Sequence, residues 1–554
     1  MATSATVEQG PERAGHLQRS VGFYGLMFVS LGSIIGSGWL LGALNAAEVA
    51  GPASIISWIL AAAMLTSLAL VYAELGATYP VAGGTGRFPY FSHGPVAGFV
   101  AGWTSWLQAV AIAPIEVLAC ITYVNSVKAV HENFAMLYAS GDKAGLLNGK
   151  GLLVATFGMI LFTAMNLAGA KFMSESNSIV VIWKTAVPLL AIIIVAGSEF
   201  HGGNFTAGGG FAPDGIHGIF AAFPAGVVFA LQGFEQAVQL AGEARNPKKD
   251  ISRAIITAMA IGAVLYALLQ LVFIAGVAPS HVTKNWNNPL GTDPSDYGAW
   301  YTLALAVGAG WLATILIIDA VISPAGTGIV YVGTTSRISY ALGEESELPS
   351  RLASVNSRGV PVFSILVTAI VGELCFGPFP SWNKLVGVVT GATAVMYAFA
   401  PVSLAALQKV DGDRPRQYRA PMPGLLFPSA FVSANLILYW GGYNYTWKIA
   451  LAIVVGLIIF GIGINVNHTD AASKLRNAIW IGPWIIGSVL IGLAGRYGDG
   501  SKSWLPEWID LLVVAVFSLV IFYWAVQLVL TPEQVAVAVE KDRAQLDYEH
   551  ATLA

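Results

Sequence analysis

The chain has 554 residues, of which 56% belong to the apolar set AVILMFWYC and only 11% are charged, against roughly 25% charged in soluble domains. Net charge is −3, from 28 Lys and Arg against 31 Asp and Glu, a balance that points to no polyionic partner. A soluble fold of this composition would expose more apolar surface than a monomer tolerates. That excludes a soluble enzyme, a nucleic-acid binder and a disordered scaffold, and leaves a polytopic helical membrane protein.

Apolar segments of spanning length fall at about 21–49, 52–75, 97–127, 151–170, 177–197, 217–242, 253–278, 300–335, 361–379 and 384–408. Four more follow at about 424–441, 447–467, 477–495 and 507–530. A helical span needs about 20 residues, and these runs are continuous rather than the ten-residue alternations of an outer-membrane barrel. Fourteen helices are therefore expected in an all-α fold. The first twenty residues are polar, and the apolar stretch after them is too long for the core of a signal peptide, so no cleavage is expected. Cys120 and Cys375 both lie in apolar runs and imply no disulfide framework.

Lys and Arg set the orientation. With the N-terminus inside, 19 of the 28 fall in inner segments, eight in outer loops, and Lys184 inside a span. Both termini are thus expected in the cytoplasm, at the plasma (inner) membrane. The Gly-rich outer segment 198–216 holds no Lys or Arg and reads as a flexible loop. In the tail, Thr531-Pro532-Glu533 is a helix-start signal, followed by Val535, Val537 and Val539. It reads as a short surface helix or a solvated tail.

Two spans carry interruptions. In the first, Gly32-Ser33-Ile34-Ile35-Gly36-Ser37-Gly38-Trp39 packs glycines and serines near mid-span. In the sixth, Phe229-Ala230-Leu231-Gln232-Gly233-Phe234-Glu235 places an amide, a glycine and a carboxylate in an apolar run. A helix in lipid must satisfy its own backbone, so such clusters predict unwound segments. Close packing of small residues is the alternative for either one alone. Two breaks five spans apart point to an inverted-repeat transporter with its site at the midplane.

With those breaks, the chain resembles the amino acid–polyamine–organocation (APC) superfamily of secondary transporters. The resemblance rests on Gly32–Gly38, on Gly233-Phe234-Glu235, and on the run from Leu240-Ala241-Gly242-Glu243 through Asn246-Pro247-Lys248-Lys249 to Arg253. Tyr72-Ala73-Glu74-Leu75, Gly83-Gly84, Ser336-Arg337, Tyr340-Ala341 and Leu348-Pro349 add to it. It implies a five-plus-five inverted-repeat core with discontinuous helices 1 and 6, spanning about 21–410. An N-terminal segment 1–20, helices 11–14 in 411–530 and a cytoplasmic tail 531–554 flank that core. Transport is then by alternating access, with a small amino-acid substrate, protons and the bilayer as partners. The run Asp319 to Gly328 is similar to the branch of aspartate–proton symporters, which favours an acidic substrate such as aspartate.

The resemblance places the substrate carboxylate on Gly36, Ser37 and Gly38, where a half-helix N-terminus favours negative charge. Ile34 and the carbonyls near Ala230 and Leu231 face the α-ammonium. Phe229, four residues before Gly233, is the aromatic lid. Lys184, inside the fifth span, matches the lysine that stands in for a sodium ion between helices 1 and 8 in proton-coupled members. Read from the residues alone, it is either a proton carrier or a side chain snorkelling to the headgroups from about seven residues, or ~10 Å, into the span. Glu116, Glu235 and Asp319 are further carboxylates at depth, each a proton carrier, a ligand for substrate charge or a structural pair. The residues 243–253 read as a cytoplasmic clasp that gates.

The expectation is a proton-coupled amino-acid importer, with an amino-acid or amine/polyamine exchanger on the same fold as the alternative. No cofactor or metal is expected, the proton gradient being the energy source. All eight histidines lie in loops, tails or helix ends, so no nucleophile–base pair or metal spacing at depth suggests an enzyme.

Overall fold

Each of these apolar stretches is helical in the computed structural model, which describes residues 21–81, 83–168, 170–291, 298–344, 348–356, 360–466 and 475–551. The expected N-terminal segment 1–20 lies outside the described residues, as do the side chains of Lys171, Arg358, Lys474 and Arg543.

The first stretch is split into α1 (Phe23–Ile34) and α2 (Gly38–Ala50); α3 (Ser54–Thr78) is the second. A short α4 (Gly84–His93) leads into α5 (Pro95–Asn125), which opens on a proline at its first position. After α6 (Lys128–Phe134) come α7 (Gly149–Leu167) and α8 (Ala170–Ser198). The sixth stretch is α9 (Gly215–Ala221), a π-helical turn at Phe223–Val227, α10 (Val228–Leu231) and α11 (Gln236–Gln239). Then follow α12 (Pro247–Gly276), α13 (Pro279–Val282), α14 (Ala299–Ala306), α15 (Gly310–Glu344), α16 (Val362–Leu374) and α17 (Trp382–Val410). The last five are α18 (Pro423–Trp440), α19 (Tyr443–Val466), α20 (Ile481–Ala494), α21 (Ile509–Gln527) and α22 (Pro532–Ala551).

Among the described residues, eleven helical stretches are long and apolar enough to cross a membrane. Phe23–Ile34, Gly215–Leu231 and Val362–Leu374 are shorter apolar helices. They are the two interrupted stretches and the ninth. The eighth stretch differs from its expected bounds: α14 ends before Gly308, whose φ of +73° turns the chain, and α15 begins only at Gly310.

Packing pairs recur at an offset of five stretches. α1 packs on α12 as α10 packs on α3; α1 on α8 as α10 on α17; α5 on α7 as α15 on α16; and α8 on α15 as α17 on α5. α3 and α12 pack together, as do α5 and α15. That is the contact pattern a five-plus-five repeat leaves, and it brings α1, α5, α8, α10 and α15 around the two breaks. Outside it, α18 lies on α3 and α17, and α19 on α5 and α17.

Both described ends of the chain reach one face. The Val21 N–H donates to the Glu243 carbonyl (3.0 Å) and the Arg245 N–H to the Val21 carbonyl (2.8 Å). The Leu530 N–H donates to the Ser92 carbonyl at the end of α4, and α22 packs on α4. The α22 start is a reciprocal cap, Gln534 N–H to Thr531 Oγ1 and Thr531 N–H to Gln534 Oε1. Val535 and Val539 are buried on α4, whereas Val537 is 67% exposed. The tail is therefore a docked surface helix rather than a solvated tail.

The outer segment 198–216 is not the loose loop its glycines suggest. Asn204 is buried and its Nδ2 donates to the carbonyls of Ile274 (2.9 Å) and Val277 (2.7 Å) at the end of α12. Trp286 Nε1 donates to the Ala207 carbonyl (3.2 Å). One asparagine satisfies two carbonyls that the helix end leaves unpaired.

Candidate functional site

The first break occupies Ile35, Gly36 and Ser37, where Ile35 leaves the helical region at φ −89°, ψ 80°. Its glycines are set by close approach. A Cβ on Gly36 would stand 2.8 Å from Glu116 Oε1, and one on Gly38 only 2.7 Å from the Cα of Ala230. The second break opens where Gln232 turns extended after α10. Gly233 follows at φ +113°, and a Cβ there would stand 2.9 Å from the carbonyl carbon of Ser33. The start of α2 thus meets the backbone of α10, and Gly233 meets the backbone at the end of α1, approaches that glycine permits at both positions.

Breaking a helix frees amides, and in both segments a carboxylate of the protein takes one. Ser37 N–H donates to Glu116 Oε2 (2.9 Å), and Ser37 Oγ accepts from Trp382 Nε1 (2.9 Å). Gly233 N–H donates to Glu235 Oε2 (3.0 Å), an oxygen that also accepts from Tyr397 OH (2.6 Å). Gln236 Nε2 donates to Glu235 Oε1 (3.3 Å). The Ser37 amide, expected for a substrate carboxylate, is therefore already bonded. Anionic caps belong at such ends.

Lys184 is 1% exposed and its Nζ donates to the Gly32 carbonyl and to Thr327 Oγ1, each at 2.6 Å. It ties α1 to α15 from α8. It does not snorkel: α8 begins at Ala170 rather than near 177, which puts Lys184 about 21 Å along the helix at 1.5 Å per residue. The cation faces the carbonyl end of α1, where positive charge is favoured. Asp319, on α15 two turns before Thr327, is fully buried and accepts from Ser323 Oγ (2.6 Å).

Between the breaks lies a small, nearly closed cavity. Of the expected residues, Ile34, Gly36, Gly38, Phe229 and Glu116 line it. Phe229 meets the edge of Trp382, with ring centroids 5.5 Å apart at 85°. Ser37, Ala230, Leu231 and Gly233 are buried beside the cavity without lining it, and Lys184, Glu235 and Asp319 stand behind it. Ile34 also carries an unforeseen bond, its carbonyl accepting from Tyr266 OH (2.8 Å).

Ser33, Ile112, Gln232, Thr327 and Tyr331 complete the lining and were not foreseen as site residues. Gln232 could have been found as the amide inside the second interruption. Tyr331 sits one turn beyond Thr327, on the same face of α15. Nothing in a single sequence marks Ile112.

A family model described as amino acid permease matches residues 21–460. The chain belongs to the amino acid permease family. Over 514 residues the permease is 33% identical to the glutamate/serine transporter AimA of Bacillus subtilis (strain 168), covering 92% of this chain and 94% of that protein. It is 34% identical over 518 residues to the aspartate-proton symporter of the same organism, covering 93% and 97%. Among solved structures it is similar to a manganese transporter of Eremococcus coleocola, with TM-score 0.48, 13% identity, and coverage of 86% of this chain and 98% of that one. Family and relatives make the permease a multi-pass membrane transporter of amino acids and not an enzyme.

Proposed function

We propose that the permease imports an amino acid across the plasma membrane in symport with protons, by alternating access, with both termini in the cytoplasm. The observation that carries this reading is the Lys184 ammonium, buried and bonded to Gly32 and Thr327 between α1 and α15. A cation at that point fastens the first half-helix to the core. Loss of its proton removes the charge and the charge-assisted bonds, and frees α1 to move. Glu116 sits at the other end of the same break, where it holds the Ser37 amide that a substrate carboxylate would take. Glu235 and Asp319 are further proton candidates, Glu235 at the second break and Asp319 on the helix that holds Thr327.

Relatives named for aspartate–proton symport and for glutamate and serine support a small polar or acidic cargo. The inner orientation is supported by the surplus of Lys and Arg on the face shared by both described chain ends. The clasp has a physical basis there: Arg337 pairs with Glu243 at 3.5 Å, beside the Val21 strap.

Uptake into proteoliposomes tests the reading. With an imposed inward proton gradient and no internal amino acid, labelled serine, aspartate or glutamate should accumulate uphill, and a protonophore should abolish accumulation. Lys184→Ala should reduce gradient-driven accumulation to background. Transport that requires internal amino acid would establish the exchanger instead. Wild-type gradient dependence in Lys184→Ala would remove the lysine from coupling.

A further inference from the structure

Gln232 is 2% exposed, lines the cavity between the breaks, and has no hydrogen-bond partner at either Nε2 or Oε1. Because both ends are unpartnered, the point does not depend on which end is nitrogen. The Tyr331 hydroxyl lies on the same lining. Buried polar groups are nearly always bonded, and each exception asks for an explanation. Here both polar atoms of one buried carboxamide are unpartnered on the wall of one small space. Groups so placed are completed by a ligand or, between ligands, by water.

The chemistry of that ligand follows from what the wall offers. A carboxamide presents a donor and an acceptor together, and a phenol presents either. A hydroxyl or a carboxamide on the substrate satisfies both ends of Gln232. An ionised carboxylate satisfies Nε2 and leaves Oε1 facing negative charge. The cavity lining holds no lysine or arginine among the described residues, and it does hold Glu116. The ammonium of Lys184 stands behind the wall, already bonded to Gly32 and Thr327. An ionised acidic side chain would therefore enter a buried site with no counter-charge, which is costly.

We infer that Gln232 is the specificity-determining residue of the cavity, and that it selects uncharged substrate side chains that both donate and accept, such as those of serine and asparagine. This rests on the reading of the protein as an amino-acid transporter and names its substrate class. Aspartate and glutamate fit the same wall only with the side-chain carboxyl protonated. A site built to bond a polar group rejects the analogue lacking it, since its own groups are then left unpaired.

The test is binding of serine, asparagine, alanine and aspartate to the purified full-length protein at pH 7.5, by calorimetry. Serine and asparagine should bind about tenfold tighter than alanine, the range expected for one well-made buried hydrogen-bond pair. Aspartate should bind no tighter than alanine. In Gln232→Leu the serine-to-alanine affinity ratio should fall to about one. Gln232→Met, of nearly equal length, serves if the leucine variant does not purify as a single species, and Tyr331→Phe should lower the ratio in part. An unchanged ratio in the Gln232 variants, or wild-type protein preferring aspartate to serine at this pH, overturns the inference alone. Wild-type protein that binds no amino acid overturns both the inference and the transport reading.

Discussion

Lys184, Thr327 and Gly32 form the smallest unit with a checkable energy. Lys184 Nζ has two partners, and Thr327 Oγ1 also lies 3.2 Å from the Gly32 carbonyl, so the three groups act together. Thr327→Val keeps the branched shape and removes one partner of a buried ammonium, which should cost about 1–3 kcal/mol. Lys184→Met removes the charge itself, and the pair of changes should cost less than their sum by about 1 kcal/mol or more. Unfolding of the two single variants and the double variant in denaturing detergent measures this; additive costs would show that the hydroxyl and the amine act independently. At this scale the sequence spoke through misplaced charge. Lys184, Glu116, Glu235 and Asp319 stood out because ionised groups at depth are rare. Gln232 was legible only as the amide of the second interruption and Tyr331 not at all, since which face a helix turns inward is decided by its neighbours.

The broken helices depend on glycine in two different ways. Gly38 is needed for approach, because a Cβ would meet Ala230. Gly233 is needed for conformation as well, at φ +113°. Gly38→Ala should therefore destabilise by about 1–3 kcal/mol through overpacking. Gly233→Ala should cost about 1–3 kcal/mol from the backbone alone, with the Ser33 contact added. Both variants should insert yet lose uptake, read in the same proteoliposomes against the amount of protein reconstituted; normal uptake in Gly38→Ala would mean that the two segments separate freely. These elements were legible because a glycine cluster inside lipid has few explanations. The turn between α14 and α15 was not, since Gly308 is a lone glycine in an apolar run and only its positive φ marks it. The ordered loop 198–216 was misread for a related reason. Its glycines suggested looseness, while one buried asparagine holds it.

At the scale of the molecule, His93 joins the core to its C-terminal end. It ends α4, which is not among the apolar spans, and Nε2 lies 2.9 Å from the Ala525 carbonyl of α21. A carbonyl only accepts, so Nε2 carries the proton and Nδ1 accepts from Ser92 Oγ (2.8 Å). Burial lowers its pKa from the ordinary 6.5 to about 4, because a second proton would charge an enclosed ring. The detached state then binds more protons between those values, so docking of α21 and α22 on α4 is fully present above pH 6.5 and weakens as pH falls towards 4. At pH 5 the loss should be about 2 kcal/mol. Hydrogen exchange in 525–540 should rise between pH 7.5 and 5 beyond its intrinsic pH dependence, and His93→Asn should flatten that rise. Equal protection at both pH values would exclude this coupling. The membrane class, the helices and the shared face of the chain ends could be read from composition and charge, which act over many residues. The docking of the tail could not, because it rests on Val535, Val539 and one histidine whose partners are some 430 residues away in sequence.

The Glu116 cap on Ser37 bears on kinetics as well as architecture. An anion that takes the Ser37 amide replaces a bond already made rather than filling an unmet need. The net gain is a difference between two similar bonds, so occupancy will be shallow and exchange quick. For a carrier that is an advantage, since a cargo held too well is released too slowly. With its own acid in place between rounds, the Ser37 amide stays bonded without waiting for the next passenger.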